Sequence, residues 1–264
     1  MNTAFSPQQT AACLLPAWQS HGCVNILPEP LRPADRAQAY QAQWALWDAC
    51  GEPGIGWKIA ATSQAVQQHI GVSGPLAGRL LASRCHSPGS VISLQGNRMR
   101  VIEAEFAFRL GRDVTGTAAQ PLAVQEVMSA VADLHLAIEI PNSRYANFVT
   151  AGEGALIADF ACACHVVLGE AVQQPWRSLD LAAHQVSALV NGVTVAQGQG
   201  ANVLGDPRWA LTWLANELIG QGRCLKAGDT VITGTCVVPV PVQEGDAVTV
   251  DFGNLGTLCV TLSD

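Results

Sequence analysis

The chain has 264 residues, of which 49 % are hydrophobic and 13 % charged, and its formal net charge is −7. Charged residues usually make up about 25 % of a chain, so this one can bury a sizeable core. An acidic balance with no Lys/Arg cluster argues against nucleic-acid or anionic-membrane binding, and no apolar run approaches the roughly 18 residues needed to span a bilayer.

Low charge also points to surface hidden between subunits, because exposed apolar patches mark interaction sites. A homo-oligomer is expected. The start MNTAFSPQQTAACLLPAW lacks the basic opening and longer apolar stretch of a signal peptide. Nine cysteines, an odd number without paired spacing, suit reduced and mostly buried thiols in a reducing compartment. A cytoplasmic protein follows from these signals.

In chain order, the first third reads as helical. PADRAQAYQAQWALWDAC (33–50) sets Tyr40, Trp44 and Trp47 on one stripe closed by Gly51, and SQAVQQHI follows Thr62 as cap and stops at Gly71. From about residue 88 the pattern becomes β, with strands around 90–94, 99–110, 135–140 and 161–168 and a hairpin over 186–197 turning at Asn191-Gly192. Two helices interrupt it. One opens at Pro121 and carries Val124, Val127, Met128, Val131 and Leu134 at core spacing; the other is WALTWLANELIG, capped by Asp206-Pro207. After Gly222 strand and turn continue to the end. The expectation is an N-terminal helical part (1–85) packed on a β-rich domain (86–264).

The chemistry concentrates in VIEAEFAFRL (101–110). On a strand, Glu103 and Glu105 project from the same face, where their like charges repel and their desolvation is costly. In LHLAIEIPNSRY, Glu139 projects with Ala137 and His135 from the face opposite the leucines and isoleucines. Three carboxylates on apolar strands suit a hard divalent cation, Mg²⁺ or Mn²⁺, with Ca²⁺ as a further candidate. The bland alternative is a solvated pair on one strand, with Glu139 paired to Arg144. Lys58 in GIGWKIAA, one of only two lysines against twelve arginines, sits between interior-looking neighbours. It is either a snorkelling side chain or a group that moves protons and binds an enolate beside the metal.

Two other motifs carry less. In a strand, adjacent Cys164 and His165 face opposite ways, so Cys162-x-Cys164-His165 is a poor zinc site. ITGTCVVP around Gly234 lacks the Gly-Lys-Ser/Thr and the helix of a phosphate loop.

The succession GWKIAATSQAV, GVSGPLAGRL, EAEFAF, AIEIPNSRY, GANVLGDPRWALTWLANEL, LKAGDTVITGT and GDAVTVDFGNLG resembles the 2-oxopent-4-enoate hydratase branch of the fumarylacetoacetate hydrolase superfamily, from about residue 31 to the C-terminus. The resemblance implies an α+β fold with a mixed β-roll or sandwich core. It implies Glu103, Glu105 and Glu139 as metal ligands and Lys58 as the active-site lysine. Gly234 and Thr235 match a segment lining the substrate pocket, and Cys162 stands where these hydratases carry a substrate-contacting serine. The implied reaction is hydration of a 2-hydroxydienoate to a 4-hydroxy-2-oxo acid.

Departures keep alternatives open. An Asp-Asn-Ala-Ser stretch of the hydratases reads Asp159-Phe160-Ala161-Cys162 here, and the acidic residue often found after a proline is absent at Pro75-Leu76-Ala77. The second feature is shared with 2-oxo-3-hexenedioate (4-oxalocrotonate) decarboxylases; the first admits a catalytically silent partner subunit. The superfamily's C–C hydrolases carry a His-x-x-Glu pair, but His69 is followed three residues on by Val72, which disfavours hydrolysis.

Overall fold

The computed structural model describes residues 5–264. Two helices come first: α1 (Pro7–Ser20), capped by Ser6, and α2 (Arg36–Cys50), capped by Asp35 and closed by Gly51 in the left-handed conformation. Strand β1 (Gly54–Ala60), helix α3 (Gln64–Ile70) and strand β2 (Leu76–Leu81) follow. The cap of α3 is Ser63 rather than Thr62, because the Ser63 hydroxyl accepts from the Val66 N–H. The helical reading of the first third is therefore incomplete. β1 and β2 are strands of the main sheet, with β1 running parallel to a strand near the C-terminus.

The chain continues through β3 (Cys85–His86), β4 (Val91–Ser93), β5 (Val101–Leu110), α4 (Val124–Met128) and β6 (Val131–Ile140). The helix expected to run from Pro121 to Leu134 thus ends at Met128, and Val131 and Leu134 are strand residues. Their spacing fits either period, and pairing of β6 with β5 decides for strand. Next come α5 (Glu153–Ala158) and β7 (His165–Leu168). The strand expected from 161 starts only at His165, because Phe160, Ala161 and Cys162 all have positive φ. The hairpin β8 (Gln185–Val190) and β9 (Val193–Gln199) turns at Asn191 and Gly192, with φ of 51° and 79°, the signature of a type I′ turn. Helix α6 (Pro207–Gly220), capped by Asp206, leads to β10 (Thr230–Thr235), β11 (Val240–Pro241), β12 (Ala247–Asp251) and β13 (Thr257–Ser263).

Among the described residues these strands make two mixed sheets. The larger runs β2-β1-β10-β5-β6-β7-β3, with β11 pairing β5 as its eighth strand, and the smaller runs β4-β13-β12-β8-β9. Phe106 and Phe108 of β5 and Leu134, Leu136 and Ile138 of β6 share a core with Val248, Val250, Leu258 and Val260 of the smaller sheet. Phe106 meets Phe252 edge to face with centroids 5.2 Å apart, and each such buried side chain contributes about 1.5–3 kcal/mol. On the other face of β5 and β6, Ala107 and Ala137 meet Leu14, Trp18, Leu46 and Phe160. The α+β sandwich-like core expected from the sequence is present, and the three glutamates lie on the face covered by helices.

No helix among the described residues is long and apolar enough to cross a membrane. All nine cysteines are unpaired, but only Cys162 and Cys236 are buried, while Cys23 and Cys259 are exposed. The expectation of mostly buried thiols is corrected accordingly, since several lie on loops and strand faces that the core does not cover.

Candidate active site

Antiparallel pairing of β5 with β6 sets Glu103 directly opposite Glu139 and Glu105 opposite Ala137. All three carboxyl groups therefore project from one face, and an oxygen of each lies within 4.8 Å of the others. Glu105 and Glu139 are fully buried. Glu105 Oε2 accepts the Gly234 N–H at 2.6 Å, while Glu105 Oε1 and Glu139 Oε2 have no hydrogen-bond partner. Burial, then the charges of Glu139 and Glu103, hold the Glu105 carboxyl well above the usual carboxylate range. Burial, only partly offset by Lys58, pushes Glu139 up to about 7.

Lys58 brings the compensating charge. Its Nζ is 3.2 Å from Glu139 Oε1 in a contact where both side chains are buried. Burial disfavours the ammonium, but Glu139 and Glu103 outweigh it and hold the Lys58 pKa above its ordinary value. A snorkelling head group is ruled out by this setting. So is the Glu139–Arg144 pair: Arg144 Nε donates to Asp159 Oδ1 at 2.6 Å instead.

That second ion pair shapes the site from behind. Lys58 Nζ also donates to the Ala161 carbonyl at 3.1 Å. Ala161 is the middle of three consecutive left-handed residues, with φ of 51°, 48° and 64° from Phe160 to Cys162. Left-handed backbone costs non-glycine residues about 1–2 kcal/mol each, so the turn persists only because its surroundings impose it. Arg144 Nη2 donates to the carbonyls of Asp159 and Ala163, which flank the turn. The guanidinium stacks on Trp18 at 3.9 Å, and Trp18 Nε1 donates to Asp159 Oδ1 at 3.2 Å. Gly78 of β2, opposite Lys58, supplies the space: a Cβ there would stand 1.8 Å from the Phe160 carbonyl oxygen.

The other residues singled out from the sequence fall around this centre. Gly234 (φ 110°) orients Glu105 through its N–H, and a Cβ there would collide with Thr62. The Thr235 hydroxyl is occupied locally: it accepts from the Ala104 N–H at 3.3 Å and donates to the Val237 carbonyl at 2.8 Å. Cys162 closes the left-handed turn, and burial pushes its thiol up to about 12, which leaves it protonated. Sequence reasoning missed Trp18 and Gly78 as parts of the site. Arg144 and Asp159 stood inside quoted motifs, but no local signal paired them.

The residues present fit a divalent cation. Three carboxylates face one lysine, all donors are hard oxygens, and two buried oxygens lack a partner. Among the described residues no other group of three or more His, Cys, Asp or Glu side chains is so arranged.

Fold and site together define a class: an α+β protein whose mixed main sheet holds a buried carboxylate–lysine centre suited to a hard metal ion. A model of the family described as fumarylacetoacetate (FAA) hydrolase, C-terminal, matches residues 79–263. The chain belongs to the fumarylacetoacetate hydrolase family. It is 36 % identical over 237 residues to the TodF product hydratase of Pseudomonas putida, covering 89 % of this chain and 85 % of the relative. It is 31 % identical to a 2-keto-4-pentenoate hydratase of Paraburkholderia phymatum, covering 97 % of each. Among solved structures, 4-oxalocrotonate decarboxylase from Pseudomonas putida, complexed with magnesium and adipate, aligns with TM-score 0.86 at 26 % identity, over 98 % of this chain and 99 % of that one.

Proposed function

We propose that the protein is a metal-dependent hydro-lyase that hydrates a 2-hydroxydienoate of the 2-oxopent-4-enoate type to a 4-hydroxy-2-oxo acid. The contact of Lys58 Nζ with Glu139, 3.2 Å long and beside Glu103 and Glu105, carries this function; relatives named as hydratases support it. Glu103, Glu105 and Glu139 would hold Mg²⁺ or Mn²⁺, with Ca²⁺ as a further candidate; the same solved decarboxylase is complexed with magnesium in one structure and with calcium in another. Such an ion supplies Lewis-acid polarisation of the substrate's 2-oxygen.

Lys58 serves the proton movements. An ammonium has three N–H donors. Ala161 and Glu139 engage two of them, which leaves one for the substrate's 2-oxygen. Conversion of the dienol to its 2-oxo form moves the hydroxyl proton to the terminal carbon. Water then adds its hydroxyl at carbon 4 and its proton at carbon 3. Gly234, Thr235 and Cys162 border the substrate side in this reading. The enzyme would work on a small 2-oxo acid as a cytoplasmic homo-oligomer, with exposed Trp209 and Val238 as candidates for subunit contact.

A second reading, decarboxylation of a 2-oxo-3-hexenedioate, is favoured by the structural likeness to 4-oxalocrotonate decarboxylase and by the buried, apolar Leu76-Ala77. The deciding experiment screens the purified homomer with Mg²⁺ or Mn²⁺ over 2-hydroxydienoates and 2-oxo-enedioates. Water gained identifies the hydratase and carbon dioxide lost the decarboxylase. No turnover on either class identifies a silent partner subunit.

A further inference from the structure

Neighbouring strand residues face opposite ways, so Trp57 points away from the centre that Lys58 enters. On that far side a cavity of about 650 Å³ is lined by Trp57, Trp47, Arg79, Arg223, Lys226 and Asp229, among others. The Arg79 guanidinium is sandwiched between two indoles, 4.3 Å from the Trp47 centroid and 4.8 Å from that of Trp57. Its acidic neighbour is Asp229, with Nη1 3.4 Å from Oδ1. Asp229 is not free to come closer: its Oδ2 accepts the Lys226 N–H at 2.9 Å and its own N–H donates to the Lys226 carbonyl.

Arg79 is therefore a buried cation with spare donors. It is 7 % exposed, and neither its Nε nor the Trp57 Nε1 has a hydrogen-bond partner. Burial lowers its pKa from the ordinary arginine value, with Asp229 opposing. At the exposed rim, Arg223 lies over Trp44 at 4.3 Å with its guanidinium, and Lys226 pairs with Asp113 at 2.8 Å. The lining thus holds Arg79, Arg223 and Lys226 with Asp229, while Asp113 pairs Lys226 from outside it.

We propose that this cavity binds a small carboxylate with a flat apolar body, the carboxylate meeting the guanidinium groups of Arg79 and Arg223 and the body lying along Trp47 and Trp57. Planar guanidinium groups match carboxylates in charge and shape, and a site walled by indoles strengthens that attraction by excluding water. The volume lies within the roughly 300–1,000 Å³ usual for small-molecule sites. This site is separate from the glutamate centre and does not depend on the reaction proposed for it.

Benzoate is the probe, titrated calorimetrically into the Mg²⁺-loaded full-length protein, with acetate as comparison. Wild type is expected to bind benzoate saturably and acetate at least about tenfold more weakly, for want of the apolar body. Arg223→Gln should weaken benzoate binding about tenfold while leaving turnover unchanged, and Arg79→Gln should weaken it at least as much. Arg223 is exposed, so its variant keeps the fold and decides alone if Arg79→Gln melts early. No saturable binding, equal affinity in wild type and Arg223→Gln, or acetate binding as tightly as benzoate overturns the proposal.

Discussion

Lys58 Nζ and Glu139 Oε1 stand 3.2 Å apart although β1 and β6, which carry them, are separated in the sheet by β10 and β5. Three strand spacings amount to about 14 Å. Two long side chains reaching over one twisted face cover that span, and the turn at Ala161 holds the lysine from above. The contact joins a residue in the first quarter of the chain to one beyond its middle.

From this contact follows the first prediction. With Lys58 as the proton-moving group, Lys58→Ala should lower turnover about 10²–10⁴-fold while Mg²⁺ affinity survives. Lys58→Arg should not restore it, since arginine cannot readily release a proton and its fork does not fit the same contacts. Turnover and melting temperature of both variants on a confirmed substrate provide the check; full activity in either sinks the role.

The glutamates lead to a second. Chelation should abolish activity, and Mg²⁺ or Mn²⁺ should restore it. Each of Glu103→Gln, Glu105→Gln and Glu139→Gln should weaken metal binding by at least about 10–100-fold, a loss seen even for groups behind the ligands. Without metal, Glu105→Gln should instead raise the melting temperature, because a buried like-charged neighbour is gone. Calorimetry with Mg²⁺ and melting curves with and without chelator test both parts. A variant that binds metal like wild type removes that residue from the site.

The left-handed turn supports a third. Gly78→Ala would drive a Cβ into the Phe160 carbonyl and displace the turn that holds Lys58. Arg144→Lys keeps the charge but loses the fork that grips Asp159, its backbone carbonyl and Ala163. Both should lower turnover more than they lower Mg²⁺ affinity. Arg144→Ala, which leaves Asp159 buried and unpaired, should cost about 3–5 kcal/mol of stability. Unchanged turnover in Gly78→Ala would show that the turn does not position Lys58.

A fourth concerns acid stability. His165 Nε2 lies 3.1 Å from Arg84 Nη1 and its Nδ1 2.9 Å from His86 Nε2. Arginine only donates, so His165 accepts at Nε2 and donates from Nδ1. Burial, then Arg84 and His86, pushes its pKa down from 6.5 to about 3. The folded state thus binds the proton less readily than the unfolded chain. The stability contributed by neutral His165 is complete above pH 6.5 and is lost as pH falls from there towards 3, with a slope of up to about 1.4 kcal/mol per pH unit. Denaturant unfolding of wild type and His165→Gln across this window should show the smaller acid loss in the variant. Parallel losses would contradict it.

Local physics made part of this protein legible in its sequence. Two-residue periodicity set Glu103 and Glu105 on one strand face, Asn191-Gly192 announced the hairpin, and Gly51 and Asp206 marked helix ends that the structure keeps. These signals act within a few residues and do not depend on what packs against them. Tertiary structure decided everything that required a choice among distant partners. Arg144, five residues from Glu139, was the alternative partner for it, yet it pairs with Asp159, and Lys58 from β1 takes the glutamate. The residues from 161 read as strand, but contacts from Arg144 and the space left by Gly78 impose a left-handed turn. Val131 and Leu134 matched a helix until β5 paired with them as strand. Helix and strand preferences differ by about 1 kcal/mol or less per residue and a left-handed residue costs about 1–2 kcal/mol, whereas a buried charge left without its partner costs several kcal/mol, so the burial of charges and strand pairing outweigh local preference.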